Sequence, residues 1–132
     1  MAAGTWLPVT GPVADCLELL HERPALSAAY RRFRDTLLDE SALTAELVET
    51  CERRVTWLLA RVGDEPRAVD GRERVLFAYV DAFVRDPHGV SDAHVAALRD
   101  FLSTAQVVGF TEMLALLDGF TRFRLILSAG AA

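Results

Sequence analysis

The residues best suited to chemistry lie on one face of a predicted helix over residues 44–62. Glu49 lies one helical turn before Arg53 and two turns before Trp57, on the side opposite the apolar stripe of that segment. A carboxylate that an aromatic ring desolvates is well suited to donate or accept a proton. The alternative interpretation is an i,i+4 salt bridge between Glu49 and Arg53 on a solvated face. A tryptophan on a polar face favours a pocket wall or a contact with another chain.

The same two interpretations, an acid–base group or one partner of a salt bridge, apply to two further acidic residues. Asp81 precedes Arg85 by one turn, and Asp118 precedes Arg122 by one turn.

With Glu49 as the acid or base, a neighbouring arginine is expected to bind a substrate carboxylate or enolate, and the last helix is expected to complete the pocket. The predicted catalytic residues are Glu49, Arg53, Arg54 and Asp81. The predicted substrate-binding residues are Trp57, Phe77, Phe110 and Leu114.

The histidines and cysteines do not indicate a metal site or a reactive thiol. No two of His21, His88 and His94 stand at metal-ligand spacing, and the chain has no HExxH motif. Cys16 and Cys51 both fall on apolar stripes, where a cysteine is usually a small buried hydrophobe with an inert thiol. The sequence also lacks GxSxG, P-loop and GxGxxG motifs. We therefore predict neither a metal nor an organic cofactor.

Composition narrows the class of protein further. A chain of 132 residues is long enough for one domain with a real core, and its net charge of −5 argues against a nucleic-acid partner. Two distant cysteines make a disulfide framework improbable and fit a reducing cytoplasm. The N-terminal residues lack a basic, apolar leader pattern, and no apolar run approaches the roughly 18 residues of a membrane span. We expect a cytoplasmic protein without membrane contact.

The helical periodicity predicts an all-α, single-domain bundle of about six helices. Residues 1–11 are interpreted as an extended arm, because glycine and proline interrupt them, and 12–128 as the helical domain. The clearest break is the sequence GDEPRAVDG at residues 63–71. The predicted helices cover residues 12–22, 24–39, 44–62, 71–86, 92–102 and 103–127.

The last predicted helix, 103–127, organises the rest. Its apolar residues cover more than half of the circumference and leave a narrow polar strip of Thr111, Asp118 and Arg122. A helix with such a wide apolar surface should be buried on two sides. Ser103 and Gln106 have the spacing of a capping box at its start.

A monomer of 14.5 kDa offers little surface to cover both sides of this helix. Trp57, Phe77 and Val84 also fall outside the apolar stripes of their own helices and need cover. The pattern therefore predicts a homo-oligomer, most simply a trimer or a hexamer. The remaining predicted partner is a small-molecule substrate.

Residues 73–127 read ERVLFAYVDAFVRDPHGVSDAHVAALRDFLSTAQVVGFTEMLALLDGFTRFRLIL. Their markers are Glu73 with Arg74 at a helix start, Asp81, Ser91 with Asp92 before a short helix, Gln106–Val108, and DGFTRF at 118–123. Residues 44–60 add Glu49 followed by Arg54. In these features the chain resembles the carboxymuconolactone decarboxylase and alkylhydroperoxidase D superfamily. The resemblance implies an alkylhydroperoxidase D-like helical fold, an oligomer and a pocket near Glu49.

The chain departs from the peroxidase-type members of that superfamily, which carry a CxxC motif after the glutamate. Counting from Glu49 places the two cysteine positions at Arg61 and Asp64, and counting from Glu46 places them at Leu58 and Arg61. Either choice of the family glutamate leaves no redox dithiol. The resemblance therefore does not imply thiol peroxidase activity.

We expect a cofactor-independent enzyme that acts on a small organic substrate by acid–base chemistry. The reaction classes in view are those of a decarboxylase, isomerase, lyase or cyclase in a biosynthetic pathway. The alternative is a non-catalytic oligomeric module of the same fold that serves binding or assembly. A peroxidase-type oxidoreductase is the third hypothesis.

Overall fold

Helices account for all regular structure in the described part of the chain. The computed structural model describes residues 23–41, 43–61 and 63–127, where five α-helices and one short 3-10 helix follow one another. Their bounds are α1 Pro24–Ser41, α2 Ala45–Ala60, α3 Gly71–Arg85, the 3-10 helix Pro87–Gly89, α4 Asp92–Arg99 and α5 Thr104–Leu127. This confirms the predicted all-α bundle for these residues. The predicted arm over 1–11 and the predicted helix over 12–22 lie outside them.

Helix α2 begins and ends at identifiable backbone signals. The Thr44 hydroxyl accepts a hydrogen bond from the Leu47 N–H at 3.2 Å, as expected of an N-cap. At the other end Arg61 adopts a left-handed conformation with φ of 56°, and its N–H donates to the Trp57 carbonyl. Gly63 also has a positive φ, of 80°. These two residues turn the chain away from the helix axis.

Helices α3 and α4 are capped by their preceding polar residues. The Asp70 carboxylate accepts from the Glu73 N–H at 2.8 Å. Ser91 and His94 bond reciprocally: the Ser91 N–H donates to His94 Nδ1 at 3.0 Å, and the His94 N–H donates to the Ser91 hydroxyl at 3.4 Å. The imidazole of His94 therefore takes the place of the glutamate in a capping box.

The longest described helix, α5, packs against all four of the others. Ser103 and Gln106 form the predicted capping box, with hydrogen bonds of 2.9 and 3.1 Å. The inward face of α5 is almost fully excluded from water. Its most deeply buried apolar residues are Phe110, Met113, Leu114 and Leu117.

The polar strip of α5 connects this helix to α3. The Thr111 hydroxyl is 2.7 Å from the Tyr79 hydroxyl and donates to the Val107 carbonyl. Asp118 and Arg122 form the i,i+4 salt bridge at 3.1 Å, and Arg122 also donates to the Val84 carbonyl. The strip is therefore partly an interhelical contact as well as a solvated face.

Two of the three side chains that were expected to need a partner chain are covered by this chain itself. Phe77 is 6% exposed and Val84 is 8% exposed. Phe77 packs beside a buried guanidinium, and Val84 joins the common core, so the apolar stripe of α3 is wider than its sequence period indicates. The prediction that both were uncovered was wrong. Trp57 stays half-buried, and the trimer or hexamer stays a prediction.

No helix among the described residues has the length and apolar character needed to cross a bilayer.

We predict that the centre of α5 carries much of the stability of the bundle. Leu114→Ala should lower the free energy of unfolding by about 2–5 kcal/mol, because Leu114 is fully buried and its truncation leaves a cavity. Val108→Ala, on the same helix but 53% exposed, should change it by about 0.5 kcal/mol or less. Urea unfolding followed by circular dichroism measures both. Equal losses would contradict the central position of α5.

Candidate binding groove on α2

A depression on the described surface runs along the outer face of α2. It is an open groove with a volume of about 620 Å³. Helix α2 contributes residues at the i, i+3, i+4, i+7 and i+8 positions of one face, and the following loop forms the opposite wall. The lining residues are Glu49, Glu52, Arg53, Thr56, Trp57, Gly63, Asp64 and Pro66.

The groove exists because α2 is amphipathic. Its other face, made of Val48, Cys51, Val55 and Leu58, is buried in the core. The left-handed backbone at Arg61 then reverses the chain direction. As a result, residues 63–66 return alongside the last turns of the helix instead of extending it.

Arg54 holds the loop wall against the two helices. Its Nε and Nη2 donate to the two carboxylate oxygens of Asp81 on α3, at 2.8 and 2.6 Å. Its Nη1 donates to Glu65 at 2.8 Å and to the Pro66 carbonyl at 3.1 Å. These bonds, the one to Asp81 above all, raise the pKa of Arg54, so it stays charged although its side chain is buried. An anion would have to displace Asp81 or Glu65 to reach this guanidinium.

Aromatic rings complete the surroundings of Arg54. Its guanidinium carbon is 5.3 Å from the centroid of Trp57 and 5.3 Å from that of Phe77. A second guanidinium, that of Arg61, is 4.4 Å from the Trp57 centroid. Trp57 is therefore both a wall of the groove and a platform for two cations.

The structure brings three of the predicted catalytic and binding residues together and places the others elsewhere. Glu49, Arg53 and Trp57 line the groove. Arg54 and Asp81 pair with each other behind it, so Asp81 contacts Arg54 and not Arg85. Phe77 packs beside Arg54, while Phe110 and Leu114 are 1% and 0% exposed in the core. Among the described residues, α5 contributes nothing to the lining.

The expected salt bridge between Glu49 and Arg53 is not formed. Arg53 instead donates to the Thr50 hydroxyl at 3.4 Å. In the ranges that the structure describes, none of the groove carboxylates of Glu49, Glu52 and Asp64 takes part in an ion pair. Three acidic groups and one basic group thus remain available to a ligand.

Sequence reasoning missed part of the groove. Glu52 and Thr56 share the face of Glu49 at helical spacing, so the period that singled out Glu49 already contained them. Asp64 and Pro66 lie in the segment interpreted only as a break between helices. Their position depends on the contacts of Arg54 with Glu65 and Pro66, which leave no local signal in the sequence.

No group of three or more histidine, cysteine or acidic side chains in the described chain is arranged to hold a metal ion. The thiol of Cys51 is 1% exposed and lies on the core side of α2. Burial, with a smaller contribution from the charge of Glu73, raises the pKa of Cys51 to about 12. The thiol therefore stays protonated near neutral pH.

No protein-family model, curated protein or solved structure matches this chain.

We predict that the network of Arg54 stabilises the protein far more than the surface salt bridge of Arg122. Arg54→Ala should cost about 3 kcal/mol or more, because it leaves Asp81 half-buried without its cation and frees the loop wall. Arg122→Ala breaks a half-exposed i,i+4 pair and one long hydrogen bond to the Val84 carbonyl, and it should cost about 1 kcal/mol or less. Urea unfolding of both variants provides the comparison. Similar small losses would show that Arg54 does not hold the loop.

We predict that Cys51 does not react with thiol reagents while the protein is folded. In a Cys16→Ser background at pH 8, a thiol with a pKa of about 12 is ionised in about one molecule in ten thousand. The labelled fraction, measured with a disulfide reagent at increasing urea concentration, should therefore rise together with the unfolded fraction, because the thiol of the denatured chain reacts at once. Fast labelling in buffer would contradict the burial of Cys51.

Proposed function

We propose that this protein binds a small organic molecule in the α2 groove and that Glu49 transfers a proton to or from it without an organic cofactor. The observation that carries this proposal is the position of Glu49, Arg53 and Trp57 on one groove. The groove volume of about 620 Å³ also falls within the range of small-molecule sites.

Each of the three residues has a separate role in this proposal. The Glu49 carboxylate makes no ion pair in the described chain and can exchange a proton with a ligand or water. Arg53, with a single long hydrogen bond to Thr50, is free to contact a polar group. Trp57 provides the apolar surface against which the ligand packs.

The same proposal includes a carboxymuconolactone decarboxylase-like fold, a homo-oligomer and a decarboxylase, isomerase, lyase or cyclase type of reaction. Its support is the residue pattern of 44–60 and 73–127 together with the helical architecture of the described chain. A peroxidase reaction has the least support, because the cysteine positions are occupied by other residues.

A second candidate is a non-catalytic binding or assembly module with the same groove. Two observations favour it: Glu49 is exposed, and the pair of Arg54 and Asp81 holds the fold together and is not available to a substrate. An open site leaves water in contact with the carboxylate, which weakens its influence on a reacting group.

We predict that Glu49→Gln separates binding from conversion. A Trp6→Phe protein leaves Trp57 as the sole tryptophan, so its emission reports groove occupancy during a screen of small acids, lactones, keto compounds and amines. Ligands found in this way are then followed by proton NMR for conversion. If Glu49 moves the proton, Glu49→Gln should still bind but convert about a hundredfold more slowly.

Glu46→Gln is the matched control for this experiment. Glu46 is exposed on the same helix, does not line the groove and is the other glutamate that the sequence pattern allows. Its substitution should leave conversion unchanged. A folded Glu49→Gln protein that converts at the original rate would remove Glu49 from the reaction. Ligands that bind but are never converted would favour the non-catalytic module.

A further inference from the structure

We propose that the ligand of the α2 groove carries an organic cation that contacts the Trp57 ring, and that Arg61, which does not line the groove but rests on the same ring, competes with this cation in the free protein. The inference rests on the proposed function, since it names the ligand class for the same groove. It starts from the Trp57 ring, which already has a guanidinium of the chain's own at 4.4 Å.

The aromatic wall of the groove recognises positive charge. An indole ring attracts cations within about 6 Å of its centroid through the negative potential of its face. The guanidinium carbons of Arg54 and Arg61, at 5.3 and 4.4 Å from Trp57, both meet this condition. The chain therefore shows by its own contacts which charge this ring accepts.

The two arginines differ in how firmly they are held. Arg54 is buried and bonded to Asp81, Glu65 and Pro66. Arg61 is exposed, and in the described residues its side chain makes no hydrogen bond or ion pair besides the contact with the ring. A ligand cation can replace Arg61 without breaking any of the bonds that hold the loop.

The charge of the lining selects the same class of ligand. Glu49, Glu52 and Asp64 contribute three carboxylates without ionic partners, whereas Arg53 contributes one positive charge. The remaining lining of Thr56, Trp57, Gly63 and Pro66 is uncharged. An anionic ligand would meet net repulsion, and a cation would gain Coulomb attraction.

The chemistry points to a weakly hydrated cation attached to an apolar body. A guanidinium or a methylated ammonium loses less hydration than a bare ammonium when it stacks on a ring. The apolar body would lie along Trp57 and Pro66, and the carboxylates of Glu52 and Asp64 would remain near the charge.

The test uses three probes that share one phenyl ring and differ in charge. Benzyltrimethylammonium, benzyl alcohol and benzoate are titrated into the full chain with Trp6→Phe, and the emission of Trp57 is recorded. The cationic probe should bind at least ten times more tightly than the other two. Its affinity should fall as salt is added, because the attraction is electrostatic.

Arg61→Ala tests the role of the chain's own guanidinium. Removing this competitor should tighten binding of the cationic probe about two- to fivefold. Arg67→Ala removes the same charge from an exposed loop residue that, like Arg61, does not line the groove but, unlike Arg61, has no cation–π contact with Trp57 in the described chain, so it corrects for the change in net charge. If Arg61→Ala increases the affinity for the cationic probe more than Arg67→Ala does, the result supports displacement of Arg61 from Trp57 by the ligand. Equal changes in affinity overturn it.

The outcomes separate this inference from the proposed function. Saturable binding of benzoate or benzyl alcohol at equal or higher affinity overturns the cationic ligand but keeps a small-molecule groove. If none of the three probes binds, the cationic ligand is overturned. The proposed function would still be supported if an uncharged or anionic compound were converted by way of Glu49. Weaker binding of the cationic probe to Glu52→Gln than to Glu46→Gln supports a direct role of the groove charge.

Discussion

The arrangement of α2, α3 and the loop between them depends on the buried guanidinium of Arg54. Arg54 uses three of its nitrogen atoms to join α2, α3 and the loop between them, and two aromatic rings enclose its guanidinium. A buried charge is costly unless it is paired and hydrogen-bonded, and here four hydrogen bonds engage all three nitrogens of the guanidinium. Lysine could not replace it, since a single ammonium nitrogen has only three donors and cannot make the four hydrogen bonds to Asp81, Glu65 and Pro66. The loop position, and with it one wall of the groove, follows from this arrangement.

The position of Arg54 also divides the charged residues of the region into two groups. The carboxylates of Asp81 and Glu65 neutralise the arginine and belong to the fold. The carboxylates of Glu49, Glu52 and Asp64 line the groove and form no ion pair in the described chain. Neighbouring residues of one helix, Arg53 and Arg54, thus serve different purposes, because a step of one residue rotates the side chain by about 100°.

The helices were predictable from sequence because their signals are local. Each signal involves only a few neighbouring residues. The signals are the apolar period, the polar residues that cap the helices at Thr44, Asp70 and Ser91, and the break at 63–71. The groove was only partly predictable for the same reason. The helical period places Glu49 with Trp57, but whether Asp81 pairs with Arg85 or with Arg54 depends on the packing of α3 against α2. The burial of Phe77 depends on the same packing, which a single-helix pattern does not contain.

The contact of α1 with α5 has a consequence for how the chain folds during synthesis. The rings of Tyr30 and Phe120 make a tilted contact with centroids 4.5 Å apart although they lie near opposite ends of the described chain, whereas Arg54 and Asp81 are separated by 27 residues. Contacts between distant segments form late, because a long loop must close first. Helix α5, the last described helix to be synthesised, covers the apolar faces of both α1 and α2. We therefore expect the pairing of α2 with α3 to be only transient until α5 has been made, and the groove to become stable together with the whole bundle.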